Sequence, residues 1–259
     1  MNILAFIAHP DDETMLAGGT LALLAEQGAC VHYLCATRGE GGEAGDPPVC
    51  TQEQLGTVRS QEMTNAVKAL GGKSLIFLDY IDPKVGPDNA LYPFAEDLTE
   101  VAQRITDFIQ NLGINALISH GSNGEYGHPG HLLAHQAARS AIELLGENAP
   151  LFYTFQASFP AHPKPHLANL LDEAHLILDV QTVLPKKIAA ALCHRSQHAL
   201  FVRNTERRTG RKSTVPEVVM AVESLRRQNP QVTDGRLDDP FANLLMRSNA
   251  VIQPENSHF

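Results

Sequence analysis

Two short stretches of this chain hold residue types that can bind a metal ion and use it. Ala8-His9-Pro10-Asp11-Asp12-Glu13 stands near the start, and Gly127-His128-Pro129-Gly130-His131 stands near the middle. A catalytic zinc typically keeps three protein ligands and one open position. Two histidines and one carboxylate meet that need, and the open position takes a water that the cation acidifies towards neutral pH. A second carboxylate nearby but off the metal can accept the proton, and the adjacent Asp11 and Asp12 can point to different targets. Each stretch alone has a plainer reading: HPDD as a strand-to-helix turn with an aspartate cap, HPGH as an ordinary loop. Together they favour a shared metal site. His135, one turn beyond His131, reads as a supporting or packing residue.

The elements around these stretches must bring them together. Short apolar runs at Asn2–Ala8, Cys30–Ala36, Ser74–Leu78 and Asn115–Ser119 read as buried strands. Helical stretches at Thr14–Gln27, Gln52–Leu70, Ala95–Asn111 and His131–Leu145 separate or follow them. That alternation is the signature of an α/β fold, a Rossmann-like three-layer arrangement with a mostly parallel sheet and helices on both faces. Ligands in such folds bind at the carboxyl ends of strands, and both stretches directly follow a strand. Further on, Leu151–Gln156 and His175–Val180 look like strands and Val183–Leu200 like a helix. Arg203–Lys212 reads as an exposed basic loop, and the tail from Asn249 has no pattern. One domain is expected over residues 1–259, regular to about residue 200 and less so over 201–259.

Composition narrows the partners. Lys plus Arg is 20 and Asp plus Glu is 29, a formal charge of −9. An acidic surface argues against nucleic acid, which needs a basic face. Cys30, Cys35, Cys50 and Cys193 form no CxxC pair and read as reduced core thiols. No leader peptide and no bilayer-length apolar run is present, so a cytoplasmic protein without a membrane span is expected.

The hexapeptide AHPDDE, the Thr37–Glu43 loop TRGEGGE, the Arg59-x-x-Glu62 helix, the late HPxH and His194-Arg195-Ser196-Gln197 resemble the LmbE/PIG-L-type N-deacetylase family, from Met1 to about Gln197. The resemblance implies a zinc deacetylase acting on an N-acetylglucosamine-type amino sugar or glycoside. It implies that His9, Asp12 and His131 bind the metal and that Asp11 is the general base. His128, charged or neutral, would steady the oxyanion or protonate the leaving amine, and Tyr126 would help at the tetrahedral stage. Arg59, Glu40 and Asp82 match positions that contact sugar hydroxyls. A two-His, one-Asp site would also accept Fe2+, Co2+ or Mn2+.

Arg59 has a plainer reading as a surface residue paired with Glu62, and Asp82 as a turn residue before Pro83. One departure stands out: the family usually has aspartate where this chain has Gly130, and that aspartate orients the preceding histidine. Another carboxylate could substitute, the rate could be lower, or the chemistry could be altered. Two alternatives follow, an amidase for a bulkier amide such as a thiol-sugar conjugate, and a non-catalytic sugar-binding domain. A nucleotide-binding reading of Gly39, Gly41, Gly42 and Gly45 fails, because these glycines do not open a helix in the fingerprint spacing. Oligomeric state is left open, a homo-oligomer included.

Overall fold

A computed structural model describes residues 1–232 and 237–252. Strands β1 (Asn2–Ile7), β2 (Cys30–Thr37), β3 (Ser74–Tyr80), β4 (Ala116–Ser119) and β5 (Leu151–Phe155) run parallel. A small parallel pair, β6 (Ala157–Ser158) and β7 (Asn169–Glu173), lies outside the main sheet. Strands β8 (Leu176–Asp179) and β9 (Val222–Asn229) complete it, with β9 antiparallel to both β5 and β8. The order is β3-β2-β1-β4-β5-β9-β8.

Strand β1 is apolar on both faces because both are covered. Ile3, Ala5 and Ile7 join one core cluster, and Leu4, Phe6 and Ala8 join the other. Helices α1 (Asp12–Met15), α2 (Gly18–Glu26) and α3 (Leu55–Ala69) follow β1 and β2, and α2 and α3 pack into the first cluster. Helices α4 (Leu98–Asn111) and α6 (Pro129–Leu145) pack into the second, with the single turn α5 (Gly124–Gly127) before α6. Of the later helices, α7 (Leu184–Cys193) and α10 (Pro240–Arg247) return to the first face, while α8 (His198–Thr209) and α9 (Val215–Val218) lie beyond it. Full burial of each large apolar side chain is worth about 1.5–3 kcal/mol, which fixes both layers on the sheet. The result is the expected Rossmann-like three-layer arrangement.

The expected helix Thr14–Gln27 is two pieces. Ala17 leaves helical geometry at φ −140°, so α1 forms a separate turn that starts at Asp12. Val183–Leu200 also divides, because His194 (ψ 59°) turns its ring into the protein and a tight turn at Arg195–Gln197 follows. Most of Arg203–Lys212 is the second half of α8 rather than a loop. That helix stops at Gly210, which takes φ 68°. Beyond residue 200, β9 sits between β5 and β8, inside the main sheet. Val251 bridges to Leu178; the rest of the expected patternless tail, residues 253–259, lies outside the described residues. Among the described residues, no helix is long and apolar enough to cross a membrane. The four cysteines are free, but only Cys35 is a core thiol; Cys30, the first residue of β2, is exposed, and Cys50 and Cys193 are half-buried.

Strand β1 has β2 on one side and β4 on the other. The chain leaves β1 towards β2 and returns on the opposite side at β4, and this switch in direction opens a crevice at the carboxyl ends. The loops that leave β1 and β4 both open there.

Candidate active site

Strand β1 ends in a loop held in a costly shape. Asp11 has φ 118°, a region that residues with a side chain seldom enter. Buried Glu13 holds it there by accepting the Asp11 backbone N–H at 2.9 Å. The other Glu13 oxygen takes the Thr14 hydroxyl at 2.5 Å and His194 Nε2 at 2.8 Å. The His9 backbone N–H donates to Asp12 Oδ2 at 2.9 Å. Asp12 thus meets His9 and His131, while the Asp11 carboxylate meets Arg59.

Around Asp12 stand three imidazoles. His9 Nδ1 is 3.4 Å from Asp12 Oδ2, and His131 Nε2 is 3.3 Å from Asp12 Oδ1. His120, directly after β4, is 3.5 Å away. Ligand atoms of His9, His128 and His131 lie within 4.8 Å of one another, as do those of Asp12, His120 and His131. The expected trio of His9, Asp12 and His131 draws on both groups and is joined through Asp12. His120 is a poor ligand, because its Nε2 already accepts the Ala8 backbone N–H at 3.1 Å. His131 differs: its Nε2 is buried and has no hydrogen-bond partner. A bare imidazole nitrogen beside a carboxylate is what a cation between them would satisfy, so the N, N, O donor set fits a divalent metal.

Electrostatics follow from this crowding. Burial would lower the pKa of His9, but Asp12 and Asp82 raise it to about 9. Burial acts the same way on His131, where Asp12 and Glu125 raise it to about 10. Asp12 is held well below the usual carboxylate range against its burial, chiefly by His131 and His9. Asp11 is pushed up to about 6 by burial, with Arg59 opposing. His128 is pulled down to about 3 by burial, with His9 and His131 adding to the effect.

Position 130 explains how His128 is aimed. His128 caps α6, and its Nδ1 accepts the Gly130 backbone N–H at 3.1 Å. The proton of the neutral ring therefore sits on Nε2. A Cβ at residue 130 would lie 3.0 Å from His9 and 3.2 Å from His128, so glycine gives these rings their close approach. The Tyr126 ring lies 5.7 Å from the His128 ring and 5.4 Å from the His131 ring, and the residue is 55% exposed.

The three residues expected to touch a sugar are engaged within the protein. Arg59 is 4% exposed and donates to Gly39 O, Pro10 O and, at 3.3 Å, Asp11 Oδ2. It does not pair with Glu62, which accepts Ser196 N–H at 2.9 Å and the Ser196 hydroxyl at 2.6 Å. Glu40 accepts the backbone N–H groups of Arg38 and Asp82. Asp82 Oδ1 is 3.4 Å from His9 Nε2 and, despite burial, has its pKa lowered by His9. His135 turns away from the centre, with Nδ1 3.0 Å from His120 O. The sequence reading passed over His120 and Glu125; the one available signal was that His120 directly follows a strand in line with the two motifs.

A family model described as PIG-L, GlcNAc-PI de-N-acetylase, matches residues 4–142. The probable N-acetyl-alpha-D-glucosaminyl L-malate deacetylase 2 of Bacillus anthracis is 30% identical over 208 residues, covering 80% of this chain and 85% of that one. The 1D-myo-inositol 2-acetamido-2-deoxy-alpha-D-glucopyranoside deacetylase of Rhodococcus erythropolis is 37% identical over 149 residues, covering 52% and 51%. Among solved structures, GalB, the 4-carboxy-2-hydroxymuconate hydratase of Pseudomonas putida, aligns with a TM-score of 0.62 and 25% identity, covering 92% of this chain and 99% of that one.

Proposed function

The chain belongs to the PIG-L family, and on that footing we propose that it is a metal-dependent hydrolase that removes the N-acetyl group from an N-acetylglucosamine-type amino sugar or glycoside. One observation carries the reading: a buried, partnerless His131 Nε2 faces Asp12, which also faces His9. We assign His9, Asp12 and His131 as the residues that hold the metal, zinc in first place and Fe2+, Co2+ or Mn2+ as chemically admissible substitutes. When bound, the cation supplies Lewis acidity for the acyl carbonyl and acidifies a water.

The remaining work belongs to the chain. Asp11 takes the proton of the attacking water. Arg59, hydrogen-bonded to both Pro10 O and Asp11, keeps this carboxylate aimed. The Asp11 pKa, raised to about 6 by burial, suits a group that accepts a proton and then returns it to the departing amine. His128 offers Nε2–H to the carbonyl oxygen as it gains charge, and a donor fixed before reaction needs no reorganisation. Tyr126, beside His128, lends its hydroxyl to the same oxygen. Asp82 steadies His9, and Glu40 steadies the Asp82 loop. The Bacillus and Rhodococcus relatives named above are deacetylases, which supports an acetyl group over a bulkier acyl group and an enzyme over a sugar-binding domain.

A second reading comes from the hydratase neighbour. The same base and cation would serve addition of water to an activated carbon–carbon double bond. Both readings are tested on one preparation, by acetate release from a panel of N-acetyl amino sugars and by loss of ultraviolet absorbance of a conjugated hydroxy-dienoate. Acetate release that stops on chelation and returns with zinc is expected. Absorbance loss without acetate release would replace the first reading with the second. Asp11→Asn is expected to slow turnover by about 10²–10⁴-fold with metal content unchanged.

A further inference from the structure

Glu125 lies outside both sequence motifs, and the centre converges on it. Its Oε2 is 2.6 Å from His131 Nδ1 and 2.9 Å from His120 Nδ1. Its Oε1 accepts the Gly121 backbone N–H and the Asn169 side-chain amide, each at 3.1 Å. Asn169 in turn accepts the Glu125 backbone N–H at 3.1 Å and the Asn123 N–H at 3.0 Å. The residue is buried, with a backbone at φ 57°, ψ −86°, a rare conformation for a side-chain-bearing residue. Such strain persists only where the surroundings over-determine it, and here Asn169 grips both the backbone and the side chain.

An ionised carboxylate only accepts hydrogen bonds. Both imidazoles must therefore present N–H at Nδ1. For His120 this leaves Nε2 as the acceptor that the Ala8 N–H requires. For His131 it leaves Nε2, 3.3 Å from Asp12, as the nitrogen whose lone pair a cation would take in place of a proton. The two rings stack with centroids 4.1 Å apart, so one carboxylate sets the tautomer and the tilt of both.

We propose that Glu125, clamped by Asn169, is the positioning residue that makes His131 a metal ligand, by fixing its Nδ1–H tautomer and its ring angle. The inference rests on the metal-centre reading above. A carboxylate behind a ligating histidine raises its basicity, and removing such a partner costs about 10–100-fold in metal affinity. Glutamine keeps the shape but has one acceptor oxygen where the carboxylate has two, so its NH2 must face either the two imidazoles or the Gly121 and Asn169 donors. Where its NH2 faces His131, the ring proton must move to Nε2 and block the ligand position.

The test measures zinc affinity by chelator competition in wild type and Glu125→Gln, with the Co2+ absorption spectrum as the second readout. Glu125→Gln is expected to bind zinc about 10–100-fold more weakly and to shift the Co2+ bands, while the metal-free proteins give matching near-ultraviolet circular dichroism. Equal affinities and identical Co2+ spectra would overturn the role of Glu125 and leave the metal centre standing. Wild type that takes up no zinc would instead remove the metal-centre reading. Should Glu125→Gln fail to fold, the tautomer is read in zinc-loaded wild type by long-range ¹⁵N–¹H correlation. His131 protonated at Nδ1 supports the inference, and His131 protonated at Nε2 overturns it.

Discussion

His9 and His131 each face carboxylates at close range, so without a cation both hold a proton well past neutrality. Their folded-state pKa values, about 9 and about 10, stand above the ordinary 6.5. The stability they contribute is fully present below pH 6.5 and is lost as pH rises through 9 to 10. On the proposed assignment, a bound divalent ion would take the place of those protons. The melting temperature of chelator-treated protein is therefore expected to fall between pH 6.5 and 10, and saturating zinc to flatten the slope. A chelated protein with constant melting temperature over that range would contradict the geometry. Residue 130 yields a separate expectation. Its Cβ would stand 3.0 Å from His9 and 3.2 Å from His128, so Gly130→Asp must displace both rings by a few tenths of an ångström. Activity is expected to fall by about tenfold in kcat/KM assays, whereas a site waiting for its missing aspartate would gain. At this scale the sequence announced the reacting types, because histidine, aspartate and their spacing carry the chemistry. It did not announce their supports. Arg59 matched a sugar-contact position, with a Glu62 pair as its plainer reading; its guanidinium reaches Pro10 O and Asp11, and such contacts between remote segments leave no local pattern.

Among the elements, the parallel strands were legible because burial on both faces demands unbroken apolar runs such as Ile3–Ile7. Strand β9, Val-Glu-Ser-Leu-Arg-Arg-Gln-Asn, was not, because its polar residues have specific buried partners. Glu223 accepts Lys187 Nζ at 2.6 Å, the Gly19 and Thr20 backbone N–H groups at 2.8 and 2.7 Å, and the Thr20 hydroxyl at 2.6 Å. It therefore joins α2, α7 and β9 through one charge. Lys187 and Glu223 are 0% and 1% exposed. Lys187→Met would leave Glu223 charged and short of a partner, at a cost of about 3–5 kcal/mol. The urea midpoint is expected to drop accordingly; a change within error would show that the helix N–H groups suffice. The break between α7 and α8 has a similar origin. His194 and Ser196 turn inward to Glu13 and Glu62, and a helical period cannot reveal a partner so far away in sequence.

The molecule as a whole is closed by its last part. We propose that the chain is one domain, since among the described residues β9 lies between β5 and β8 and α10 packs against the first core cluster. A chain ending at residue 200 is expected to lose cooperative unfolding and to expose the flank of β5. A sharp thermal transition in the shortened protein would show that the first part folds alone. The sequence suggested a core ending near residue 200 because the family-like motifs end there, while packing continues to Leu245 and Ala250. Glu13 waits for His194, 181 positions later, and Thr20 for Glu223, 203 positions later. A ribosome adds about 5–20 residues each second. On the order of ten seconds or more therefore pass between the emergence of the HPDD loop and the arrival of its braces, so the proposed metal site is braced only after His194 has been made.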